Sequence, residues 1–273
     1  MSLGPFDLTG GPFLQLYGML FGITIVAGFL IPRWIRPGGH AGLVTDIGEL
    51  AYLAGGMARF TDAVVAHLLA TRALAMVGKK AFHARTRGVG RTEVELAVLA
   101  LSGEQSWKGI SQSLKSHAEP IERRLVADCL LMDARQTLQT RFWQTLPYFL
   151  LLPFGAIKVV VGQMRQHPVG YLVVLLILTA ILALIRWLAV DRRTQGGHDA
   201  LDGARSRAAR LKLAPTSTET DLAVALFGTV VLVGSGWSDF HELRTASSGG
   251  DGGISSGCGG GGCGGGGCGG CGS

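Results

Sequence analysis

The residues best equipped for chemistry are four cysteines: Cys258, Cys263, Cys268 and Cys271. They are spaced C-x4-C-x4-C-x2-C in a run that is otherwise almost all glycine. Four thiolates would suffice for a tetrahedral Zn²⁺ or a small iron–sulfur cluster, and soft sulfur also suits Cu(I). Cys268-x2-Cys271 is the most metal-like element. Structural zinc sites usually have two close pairs on ordered knuckles, whereas this stretch has one pair and no other fold-forming side chains. Ordering the backbone from Cys258 to Cys271 would cost on the order of 14–28 kcal/mol. A structural zinc returns roughly 10–16 kcal/mol. The expectation is therefore dynamic metal binding, or modification of the thiols by an enzyme, and not a pre-formed site. A Gly-rich chain of this length has an r.m.s. span of about 25–30 Å, so each cysteine can reach a cysteine-modifying enzyme or a metal-handling protein.

Glycine accounts for 42 of the 273 residues, many of them at the C-terminus. Such a run has no side chains to bury and the most backbone entropy to lose. Residues 244–273 thus read as a disordered Gly/Cys-rich tail. The net charge of +6 fits nucleic acid or a membrane protein with basic cytoplasmic faces. The apolar segments decide between them. Residues 13–31, 142–162 and 169–190 are each long and apolar enough to cross the roughly 30 Å hydrocarbon core. Pro147 and Pro153 in the second are tolerated in membranes. The third follows the second after a short turn, so the two form a helical hairpin.

The flanks set the orientation. Arg33 and Arg36 follow span one, Arg141 precedes span two, and Arg192 and Arg193 follow span three; only Arg165 stands on the other side. The positive-inside rule places residues 1–12 outside, and residues 33–141 and 191–273 in the cytoplasm. The cysteines then face a reducing compartment, which disfavours disulfides. Lys158 lies within span two, and an intramembrane cation raises the question of transport. It is close enough to the span's end to snorkel instead.

Residues 33–141 contain a weak internal echo: "ELAYLAGGMARF" from Glu49 and "ELAVLALSGEQSW" from Glu95. A second amphipathic helix pattern follows each, from Asp62 and from Glu119. Asp46 and Thr92 are predicted N-caps, and Gly55–Gly56 a helix stop. The basic stretch 77–90 reads as a small hairpin or wing, giving a winged-helix-like insert. Lys79, Lys80, Arg85, Arg87 and Arg91 cluster there, which would suit DNA. The insert's acids nearly balance its bases, so nucleic acid is the weaker expectation and a solvated loop beside an acidic lipid surface or a partner the stronger.

Cys129 falls in an apolar helix pattern and reads as a buried, inert thiol. His67 reads as a core or surface histidine. No catalytic constellation stands out among the seven histidines or in any motif, so an enzyme is not expected. Past span three, residues 191–243 read as juxtamembrane helices: a polar, basic helix, then an apolar run from Leu222 to Gly234. That run is too short to span comfortably, and is expected to be docked or interfacial.

The fold class expected is mainly α: a three-span helical membrane protein with a cytoplasmic winged-helix-like insert and a disordered tail. In order and composition, "ELAYLAGGMARFTDAVVAHLLATRALAM", "RTEVELAVL", "HPVGYLVVLLIL", "DRRTQGGHDAL" and "VALFGTVVL" resemble the bacterial TIGR04222 domain family of membrane proteins. That family also commonly ends in a Gly/Cys-rich tail. The resemblance implies architecture and supplies no activity. The function expected is a lipid-embedded, non-enzymatic presenter of cysteines. The alternative is a membrane-tethered regulator whose insert binds a protein partner or DNA.

Overall fold

The computed structural model describes residues 10–39, 42, 44–78, 80–86, 92–164, 170–212, 216 and 219–248. The chain is mainly helical. Three helices are long and apolar enough to cross a membrane: α1 (Gly10–Ile35), α6 (Ala134–Met164) and α7 (Gly170–Leu188). Their outward faces are apolar, with Met19, Phe29, Leu150, Val174 and Leu184 all exposed. A surface of this kind is stable against lipid and not against water.

Small residues let the helices approach closely. A Cβ on Gly155 of α6 would come within 2.7 Å of Tyr17 on α1, and one on Gly28 of α1 within 3.0 Å of Tyr148 on α6. Each helix thus seats the other's tyrosine over a glycine, the small-residue contact that lipid-embedded helices favour. The buried Tyr17 Oη lies 3.3 Å from Thr179 Oγ1 of α7, which ties in the third helix.

The other described helices build one extramembrane core. They are α2 (Ile47–Ala70), α3 (Glu93–Leu99), α4 (Trp107–Ser113), α5 (Lys115–Ala127), α8 (Gln195–Arg207), α9 (Thr220–Phe227) and α10 (Ser238–Ser248). Asp46 and Thr92 cap α2 and α3 as expected, accepting from the amides of Glu49 and Glu95. Strands β1 (Leu74–Val77), β2 (Ala81–Ala84) and β3 (Gln105–Ser106) form an antiparallel sheet in that order. Of the stretch read as a wing, Val77 ends β1 and Ala81–Ala84 form β2, paired antiparallel as a hairpin, while Lys79 and residues 87–91 lie outside the described residues.

The predicted stop at Gly55–Gly56 is a kink. Gly56 adopts φ +64°, ψ −154°, a conformation that favours glycine, and the helix then resumes to Ala70. The run 222–234 is neither a span nor an interfacial helix. Ala223, Val224, Ala225 and Leu226 of the short α9 are buried in the same core as Leu53, Phe60 and Leu68 of α2. Eight residues give a helix of only about 12 Å. Gly228, at φ +90°, then turns the chain away, and a side chain there would overlap the Arg59 guanidinium.

Candidate functional site

The four cysteines Cys258, Cys263, Cys268 and Cys271 lie outside the described residues. The described residues concentrate their polar chemistry where the three spans meet the extramembrane core. Three pieces of chain converge there: the exit from α1 (residues 36–39), the α5–α6 link (residues 128–133), and residues 191–198 after α7.

Residues 191–194 are extended where a continuous helix was expected. Thr194 N donates to Leu130 O (3.1 Å) and Met132 N to Arg192 O (2.7 Å), an antiparallel bridge that stitches the span-three exit to the α5–α6 link. Thr194 then N-caps α8: its Oγ1 accepts from Gly197 N (3.1 Å) and donates to Cys129 O (2.6 Å). The next free amides of α8, those of Gln195 and Gly196, donate to Pro37 O (3.3 Å) and Gly38 O (3.1 Å) of the span-one exit. Four amides at a helix start lack internal partners; here the other two chain segments supply the acceptors.

Each side chain of this motif has a separate task. Arg193 donates to Leu53 O (2.7 Å) and Ala54 O, carbonyls freed by the kink in α2. Arg192 donates to Glu122 Oε1 (2.6 Å), and Tyr52 Oη to Glu122 Oε2 (2.5 Å), which holds α5 and α2 together. The Tyr52 hydrogen bond, followed by Arg192, holds the Glu122 carboxyl below its usual range despite partial burial. His198 Nε2 lies 3.0 Å from Asp191 Oδ2 and 2.9 Å from the Arg36 guanidinium. A single ring nitrogen can donate to the first or accept from the second, not both.

Burial alone would raise the Asp191 carboxyl. The hydrogen bond to His198, the charge of Arg193 and the Arg193 amide outweigh it and bring the pKa down to about 2. A carboxyl whose folded pKa is depressed contributes stability above its unfolded value, and loses that contribution as pH falls through the folded one. Asp191→Asn is expected to remove about 2 kcal/mol at neutral pH. It should also flatten the loss of stability between about pH 4 and pH 2, as measured by thermal unfolding in lipid nanodiscs. A variant with an unchanged acid limb would assign that limb to another carboxylate.

The remaining sequence-predicted positions are dispersed. Lys158 Nζ stands 4.9 Å over the ring of Phe13, at the end of the bundle remote from the junction. His67 Nδ1 lies 3.1 Å from Asp221 Oδ2, and its Nε2 3.7 Å from Glu95 Oε1, half-buried in the extramembrane unit. Cys129 is not a buried helix residue. It follows the end of α5 at φ +56° and is exposed, because the chain must turn there to meet Thr194. Lys80 and Arg85 are exposed on the hairpin. Among the described residues, no group of three or more His, Cys, Asp or Glu could hold a metal ion.

Sequence reasoning missed the junction. Its signal was present: "DRRTQGGH" places an N-cap threonine and two glycines directly after a span. No protein-family model matches this chain, and neither does any curated protein or solved structure.

Proposed function

We propose that this protein is a non-enzymatic membrane-held presenter of cysteines, with the tail in the cytoplasm of a bacterial inner membrane. The observation that carries this reading is the fixing of α10, which takes in residues 244–248 that were expected in the tail, because Arg244 bonds Asp62; the tail departs after Ser248. Phe240 is fully buried and meets Phe82 edge-on at 5.9 Å. Arg244 Nε donates to Asp62 Oδ1 at 2.6 Å while its guanidinium lies 3.7 Å over the Trp107 ring. The tail thus begins at a fixed point on a unit tied to three apolar helices. The excess of arginine on the junction side supports a cytoplasmic face. Thiolates on a glycine chain suit Cu(I), Zn²⁺ or a thiol-modifying enzyme.

The test compares the full chain with a variant carrying serine at Cys258, Cys263, Cys268 and Cys271, both in nanodiscs. The wild type is expected to take up Cu(I) or Zn²⁺ in competition with a chelator, or to show added mass when purified from its native host. The serine variant should do neither. A wild type with neither metal nor modification would sink the reading.

One observation favours the second reading, a membrane-tethered regulator that binds a protein partner. An open groove of about 380 Å³ runs between α2, α4 and α5, lined among others by Tyr52, Met57, Trp107, Lys108 and Lys115. Deleting residues 249–273 separates the two: a regulator keeps its cellular phenotype, whereas a cysteine presenter loses it.

A further inference from the structure

The three span helices contain cations and no carboxylate: Arg33, Arg135, Arg141, Lys158 and Arg186 stand there without a single Asp or Glu. An unpaired charge at the edge of a hydrocarbon layer is costly unless a counter-charge reaches it. At the junction end, Arg36 has one in Asp191. Arg141 and Arg186 have no carboxylate partner among the described residues.

Their placement is specific. Arg186 lies 3.8 Å over the ring of Phe29, which is 63 % exposed on the outer surface of α1. The cation therefore sits on the lipid-facing seam between α1 and α7. Gln144 Nε2 of α6 donates to the Arg186 carbonyl at 2.6 Å, which fixes the two helices level with each other. Arg141 precedes Gln144 by three residues, about 4.5 Å along the axis toward the junction. Its Nε is buried with no hydrogen-bond partner. Arg141 and Arg186 thus leave their helices within about one turn of the same level, at the end of the bundle nearest the junction.

We propose that Arg141 and Arg186 form a binding site for the phosphate of an anionic glycerophospholipid such as phosphatidylglycerol. Guanidinium matches phosphate with paired N–H donors and sheds water more readily than an ammonium. The acyl chains would continue along the exposed apolar faces of α1 and α7, below Phe29. The site rests on insertion of the three helices in a bilayer and goes beyond the role of the tail.

Trp143 and Trp187 adjoin the site in sequence and report on it. The full chain is placed in vesicles in which either phosphatidylglycerol or phosphatidylcholine carries brominated chains, and tryptophan quenching gives the relative occupancy. Each basic residue near a membrane surface is worth about fivefold in anionic-lipid preference. Preferential quenching by the brominated phosphatidylglycerol is expected, falling about fivefold in each of Arg141→Gln and Arg186→Gln. Arg186→Lys keeps the charge but not the paired donors, and should fall between the wild type and Arg186→Gln. Equal quenching by the two lipids, or a preference intact in the double Gln variant, overturns the site alone. Quenching by neither lipid overturns membrane insertion as well. Loss of the preference in millimolar inorganic phosphate at constant ionic strength overturns the lipid assignment and makes this a site for free phosphate.

Discussion

Alanine at Gly197 is expected to lower stability by about 3 kcal/mol or more, the range of a severe overpacking defect. An added Cβ would sit 2.2 Å from the Leu130 carbonyl oxygen and 3.4 Å from Leu53 Cδ1. The nearer group is backbone, so no side-chain rotation relieves the clash. That same carbonyl accepts from the Thr194 amide and belongs to the bridge between the α5–α6 link and the span-three exit. Moving it by the required ångström breaks the bridge, the Thr194 cap and the contact with the span-one exit together. Hydrogen exchange should show protection lost first at Met132, Thr194 and Gly196, while the amides in the middle of α6 and α7 keep theirs. Gly203→Ala on the same helix is the control. Its Cβ would meet only the flexible end of Arg207 at 3.5 Å, so helix propensity should leave it neutral or up to about 1 kcal/mol more stable. Equal melting of the two variants would mean that the junction is not a tight seam.

The contrast between these two glycines shows why some of this molecule was legible in its sequence and some was not. Spans are a one-dimensional signal, since length and apolarity suffice and no partner need be known. Capping is nearly as local, and Asp46 and Thr92 each bond an amide three residues on. Gly55–Gly56 carries a local signal for a break, but the outcome depends on a distant residue. Arg193, 139 residues along the chain from Ala54, bonds the freed carbonyls and lets the helix resume. The run 222–234 fits an interfacial helix equally well until α2 is seen to cover it. Helix α6 begins at Ala134, ahead of the apolar run from Phe142, and in that first part Thr137 and Thr140 satisfy their hydroxyls on carbonyls four residues back. A hydropathy average falls at Arg135, Gln136, Gln139 and Arg141 and so marks only the apolar part of the helix. The junction is the extreme case. Its glycines, threonine and arginines are unremarkable in composition, and only the meeting of three remote segments gives them a task.

Arg244→Met is expected to cost roughly 3–5 kcal/mol, since it leaves the carboxylate of a buried pair uncompensated. Asp62 and Arg244 are 9 % and 13 % exposed at their side chains and meet at 2.6 Å. Burial pushes the Asp62 carboxyl up, against the pull of Arg244, Arg59 and the Trp107 N–H. Without Arg244 it rises further. The penalty is then fully present above that raised pKa and is relieved as pH falls through it, when the carboxyl takes up a proton. The defect should therefore be smaller at pH 5 than at pH 8 in a chemical-denaturation series. Adding Asp62→Leu to the same chain removes the stranded charge and should recover most of the loss. A remainder of about 1 kcal/mol would reflect the Trp107 Nε1, which bonds Asp62 Oδ1 at 3.0 Å in the wild type. The position of the tail supplies a second readout. With its ion pair and its stacking on Trp107 gone, α10 keeps Phe240 as its main attachment. A fluorophore placed at Ser248 should then gain rotational freedom in Arg244→Met and keep that gain in the double variant, which restores neither contact. Unchanged anisotropy in the single variant would mean that Phe240 alone holds α10, and that the departure point of the tail does not depend on the Asp62–Arg244 pair.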